Sequence, residues 1–104
     1  MTALKGKLLR YEYENGDIYQ VQFDEDTATW TYGPGSENPV SGTENHDVVE
    51  IVPNVFFVSW SESTGEVVSF VANLNEMEIH TSYVYENTRH FWKGSIKYFG
   101  KPDE

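Results

Sequence analysis

The chain contains no cysteine, so disulfides and thiolate metal sites are excluded, and a reducing compartment fits that absence. Basic residues are scarce: after Arg10 none occurs until Arg89. Seven Lys and Arg stand against 17 Asp and Glu, a net charge of −10. Binding to nucleic acid rests on neutralising phosphates with Lys and Arg, so no nucleic-acid partner is expected. An anionic membrane surface is disfavoured for the same reason. No run approaches the roughly 20 apolar residues of a membrane-spanning helix. The opening residues Met1-Thr2-Ala3-Leu4-Lys5-Gly6-Lys7 lack the apolar stretch of a signal peptide. These absences lead us to expect a cytoplasmic protein. No segment carries a sustained 3.6-residue apolar period, so little helix is expected. There is no internal repeat and no linker, and residues 1–104 read as one domain.

Aromatic residues, by contrast, make up 15% of the chain, too many large rings for disorder. A chain of this length buries roughly two-thirds of its unfolded surface, enough for one modest core. The pattern predicts strands at 7–13, 18–24, 27–32, 47–52, 55–62, 66–73, 77–85 and 91–99. Turn residues separate them at every step, as at Asn15-Gly16, Pro53-Asn54 and Ser63-Thr64-Gly65. The fold class is therefore all-β: an eight-stranded antiparallel up-and-down barrel, in which closure removes the unpaired edges of an open sheet.

The stretch Leu8-Leu9-Arg10-Tyr11-Glu12-Tyr13-Glu14-Asn15-Gly16-Asp17-Ile18-Tyr19 reads as one hairpin. Asn-Gly predicts a tight turn with both turn residues at positive φ. The one long connection, Gly33 to Asn45, holds three glycines and two prolines and reads as an irregular loop, either a lid or a plain connector.

Strand side chains alternate faces, so Leu9, Tyr11 and Tyr13 point together, as do Tyr19, Val21 and Phe23. Phe56, Val58, Trp60 and Glu62 share a face, and so do Val68, Phe70 and Ala72. In an eight-stranded barrel the interior is either filled or holds one small ligand. The tyrosine pair fits both cases: core rings with satisfied hydroxyls, or two phenols converging on an anionic or phenolic ligand. Glu62 is an exposed turn carboxylate or a general acid–base at the barrel mouth, where burial would raise its pKa. His80 falls on the polar face of its strand and reads as a surface residue. His46, His80 and His90 are scattered, and the nearest approach to a metal motif, His46-Asp47, is weak. No metal and no cofactor is expected. No phosphate-binding glycine loop or nucleophile elbow is present.

Two segments resemble a known group of proteins. Gly6 to Gly16, with the Tyr-x-Tyr-x-Asn-Gly pattern, and Val55 to Gly65, with Ser-Trp-x-Glu-x-Thr-Gly, are similar to bacterial phenolic acid decarboxylases. The similarity runs over roughly Gly6 to Thr81, and the wider group includes the MoaF-like proteins. The resemblance implies a calycin, or lipocalin-like, barrel, and a homodimer. In the decarboxylases two hairpin tyrosines hold the substrate carboxylate, and a carboxylic acid in the second segment handles a proton. Tyr11 and Tyr13 match the pair and Glu62 the acid. An arginine that assists in the decarboxylases does not carry over, because the equivalent region, Pro39-Val40-Ser41-Gly42, has no basic residue.

The expected site is an aromatic pocket open at one end, lined by residues drawn from Tyr11, Tyr13, Tyr19, Trp30, Trp60 and Glu62. The first functional reading is a MoaF-like barrel that binds a small, planar aromatic molecule, neutral or phenolic. The alternative is a cofactor-free, non-oxidative decarboxylase with Glu62 as acid–base and Tyr11 and Tyr13 as anchors. A third is an interaction module with a solidly packed barrel.

Overall fold

A computed structural model describes residues 4–102 of the chain. Those residues form a closed barrel of eight antiparallel strands in sequence order, with no helix. The strands are β1 (Leu8–Tyr13), β2 (Ile18–Phe23), β3 (Thr27–Tyr32), β4 (Val40–Val52), β5 (Val55–Ser61), β6 (Val67–Asn73), β7 (Glu78–Tyr85) and β8 (Thr88–Gly100). β1 closes the barrel against β8, with Leu9 opposite Phe99 and Tyr13 opposite Gly94. A bulge between Arg10 and Tyr11 adjusts the register there. The predicted all-β, up-and-down barrel is thus the observed architecture.

Three local expectations are corrected. The long loop is only half as long as predicted, because residues from Val40 onward already belong to β4. The first half of β4 pairs with β3, Tyr32 opposite Val40 through Thr27 opposite Asn45. The second half pairs with β5, from His46 opposite Trp60 to Val52 opposite Val55. A barrel needs tilted, staggered strands, and a strand shared in halves between two neighbours supplies that stagger. β8 does the same: its first part pairs with β7 and its last with β1, so it begins at Thr88 rather than Phe91.

The third correction concerns the first hairpin. Only Gly16 has a positive φ, at 96°, and Asn15 does not. Gly16 N–H donates to Tyr13 O at 2.9 Å and Tyr13 N–H to Asp17 O at 2.9 Å. That is a three-residue loop ending in a glycine bulge, not the two-residue turn that Asn-Gly suggested. Asn15 Oδ1 serves instead as acceptor for Asp17 N–H. The β5–β6 loop repeats the pattern: Gly65, at φ 103°, donates to Glu62 O at 2.9 Å, and Glu62 donates to Glu66 O at 2.7 Å. Glu86-Asn87 is the turn that has two positive φ values.

The barrel interior divides into two halves. Toward the end where β1 begins, Leu9, Val21, Phe23, Phe56, Val58, Phe70 and Ile79 pack with almost no exposure. Leu4 is buried against the same cluster, and the chain leading into β1 is pinned by Gly6 N–H to Phe23 O at 2.8 Å. Each such large apolar side chain contributes about 1.5–3 kcal/mol on leaving water. This half is the core. The opposite half, around the C-terminal ends of β1, β3, β5 and β7, is not filled by side chains.

Candidate functional site

The unfilled half is a cavity of about 210 Å³, lined by twelve residues of which eight are aromatic. Tyr11, Tyr13, Tyr19, Trp30, Trp60 and Glu62 all line it. The structure therefore brings together the six residues expected to line a pocket. It adds Tyr32, Val40, Val68, Thr81, Tyr83 and Trp92.

Period-two alternation explains most of the lining. On β1, Tyr11 and Tyr13 follow Leu9 on the inward face, and both are nearly fully buried. Their rings meet edge to face, with centroids 5.4 Å apart. Tyr19, on β2 directly across from Tyr11, lies nearly parallel to it at 6.1 Å. Tyr13 also contacts Trp92 at 5.3 Å, and Trp92 stacks on Tyr83 at 5.3 Å. Trp60 meets Phe70 edge to face at 5.8 Å, at the boundary between cavity and core. The tyrosine rings are both part of the packed interior and walls of the cavity.

The Tyr13 hydroxyl donates to Thr81 Oγ1 at 2.6 Å, a contact between β1 and β7 inside the barrel. Thr81 is the single buried polar side chain among the described residues, at 1% exposure. Burial pushes the Tyr13 phenol up to about 12, and it pushes Tyr11 and Tyr19 well above their ordinary value. All three are neutral at physiological pH.

Glu62 sits at the cavity mouth, just past the end of β5, held by the tight loop to Glu66. The Trp60 indole N–H donates to Glu62 Oε2 at 3.1 Å. Partial burial raises the Glu62 carboxyl above 4.5, opposed by that hydrogen bond, with Glu66 and Glu44 adding like-charge repulsion. Alternation did not single out Glu44. It lies on the inward face of β4, and extending the His46–Trp60 register by two places sets it across from Glu62. The Trp30 indole N–H donates to Glu44 Oε2 at 3.2 Å. The Trp30 ring covers Gly42, where a Cβ would come within 2.8 Å of the ring. The mouth therefore carries two carboxylates, each held by an indole.

No histidine, lysine or arginine lines the cavity. His46 packs inward against Phe23 with centroids 5.6 Å apart, while Asp47 is exposed on the outer face. The weak His46-Asp47 motif is thus split across the sheet. Among the described residues no group of three or more His, Asp or Glu is placed to hold a metal. His80 is on the outer face, 6.5 Å from the Phe91 ring.

Alternation did not point to Val40 in the lining, nor to Gly42 and Glu44 beside it, because all three fall in the segment read as loop, where no apolar alternation marks a strand. Trp92 and Tyr83 follow from alternation through Ile96 and Ile79, a signal that was present.

A closed eight-stranded barrel with one end packed and the other opening into an aromatic chamber defines a small lipocalin-like barrel. The chain belongs to the MoaF-like family, whose pattern matches residues 5–97. A solved structure from Burkholderia vietnamiensis, described as a proposed beta-lactamase, superposes with a TM-score of 0.82. It is 15% identical, and the match covers 92% of this chain and 95% of that one. At that identity the likeness concerns the fold. No curated protein matches the chain.

Proposed function

We propose that this protein is a binding barrel that takes one small planar aromatic molecule, such as a phenol, into the chamber. The observation that carries the proposal is the unfilled half of the barrel, with eight rings around about 210 Å³. An apolar cavity of about 150 Å³ accepts a benzene ring, so this chamber has room for one ring and a short substituent. Ligand pockets are mostly apolar with a few placed polar groups, and Glu62, Thr81 and the tyrosine hydroxyls supply those.

The decarboxylase alternative draws on Tyr11, Tyr13 and a Glu62 carboxyl raised toward neutrality. It requires the chamber to accept a hydroxycinnamate anion with no cationic side chain in the lining and Glu62 at the mouth. Burying an unpaired charge is costly, and that cost favours the binding reading. A beta-lactamase reading, suggested by the Burkholderia protein's description, finds no serine or lysine in this chamber.

One assay separates the readings. The protein is incubated with p-coumaric acid while ultraviolet absorbance follows conversion to 4-vinylphenol. In parallel, tryptophan fluorescence is titrated with 4-vinylphenol. The binding barrel predicts saturable quenching and no turnover. Turnover abolished by Glu62→Gln would establish the enzyme instead.

A further inference from the structure

We propose that the chamber selects positively charged ligands, binding an alkylammonium or quaternary ammonium group among its aromatic rings with Glu62 as counter-charge. The inference rests on the binding reading above and specifies the charge of the ligand.

The lining supplies what an organic cation needs and withholds what an anion needs. The faces of Trp, Tyr and Phe rings carry negative potential and attract ammonium groups, most strongly where water is excluded. Here Tyr11, Tyr13, Tyr19, Trp60, Tyr83 and Trp92 surround one space. The only carboxylate in the lining is Glu62, and no basic side chain accompanies it. An anion entering the chamber would find several donors already committed. The Trp60 and Trp30 indoles donate to Glu62 and Glu44, and the Tyr13 hydroxyl donates to Thr81.

The surroundings add to the effect. Glu44 and Glu66 lie near Glu62 at the mouth, and Asp17 accepts a hydrogen bond from Tyr32 on the far rim at 3.2 Å. With a net charge of −10, the protein's field draws cations toward this opening and repels anions.

The test compares three ligands of similar size by calorimetry: phenyltrimethylammonium, its neutral isostere tert-butylbenzene, and benzoate. The expected result is that the cation binds about tenfold or more tightly than the isostere, while benzoate is weakest. Glu62→Gln, which keeps size and acceptor, should weaken the cation by about tenfold and leave the isostere unchanged. A second readout stays within the wild-type protein: affinity for the cation falls as pH drops through the Glu62 titration, and that for the isostere does not. If the isostere binds as well as the cation, the charge preference is wrong and the binding barrel stands. If none of the three binds, the charge preference fails, and the 4-vinylphenol titration decides separately whether the binding barrel stands.

Discussion

The Trp60 indole N–H donates to the Glu62 carboxylate at 3.1 Å, joining the last inward ring of β5 to the acid at the chamber mouth. The two residues are separated only by Ser61, so the bond depends on the strand ending where it does. The Gly65 bulge sets that end, with Glu62 N–H and C=O both engaged in the tight loop. Alternation sets Glu62 on the same inward face as Trp60, and this bond holds its carboxylate against the chamber.

Glu62 gives stability a dependence on pH. Burial raises its folded-state pKa above the ordinary 4.5, so the folded protein holds this proton more tightly than the unfolded chain. The carboxyl therefore costs stability as pH rises from the unfolded value through the raised folded one. Glu62→Gln should match the wild type well below pH 4.5, where the carboxyl is protonated folded or unfolded, and exceed it at neutral pH. The gain is modest, because the side chain remains partly solvated. Urea midpoints at the two conditions check this, and equal differences at both would contradict it.

Tyr13→Phe leaves Thr81 Oγ1 buried without its partner. The expected cost is about 1–3 kcal/mol, the range for an orphaned buried polar group. Replacing both sides, in Tyr13→Phe with Thr81→Val, should recover much of that loss. A double-mutant cycle by denaturant unfolding measures the coupling, and strictly additive losses would show that the hydrogen bond carries none.

Gly42→Ala should disturb the mouth. The added Cβ would lie 2.8 Å from the Trp30 ring, whose indole N–H is tied to Glu44. Forced repacking of this kind costs about 1–3 kcal/mol. The emission of Trp30 should shift, which can be read in a variant lacking Trp60 and Trp92. An unchanged spectrum and midpoint would mean that the ring is free to move away.

Phe56→Ala tests the division of the interior. Phe56 is 1% exposed in the packed half and is not part of the chamber lining. Its truncation should cost about 3–5 kcal/mol. Trp92→Leu, on the chamber wall, should cost distinctly less, because that ring already borders empty space. The ordering of the two midpoints is the measurement. A larger loss at Trp92 would mean that the chamber end supports the fold.

Much of this arrangement could be read from the residues. Alternation along 9–13, 19–23, 56–62 and 68–72 placed Tyr11, Tyr13, Tyr19, Trp60 and Glu62 on inward faces, because apolar neighbours at every second position marked the strand and its buried side. Where that marker failed, the reading failed. Ser41, Thr43 and Asn45 face outward on β4, and inward lie Gly42 and Glu44, neither of them apolar. The segment therefore looks like a loop until Trp30 is seen covering Gly42 and bonding Glu44. The Asn15-Gly16 turn misled for a local reason: the same dipeptide suits a glycine-bulged loop, with Asn15 used as a side-chain acceptor. Alternation also could not say whether the barrel is filled, since that depends on how ring volumes from different strands add up across the interior.

The most direct measurement of ligand occupancy uses the three tryptophans of the chain, Trp30, Trp60 and Trp92, all of which line the chamber. Indole ¹⁵N–¹H resonances give one signal for each. On titration with 4-vinylphenol or phenyltrimethylammonium, ligand binding in the chamber should shift all three signals saturably with one common dissociation constant. If neither compound moves the three indoles together, the chamber is not the binding site and the account of this barrel fails.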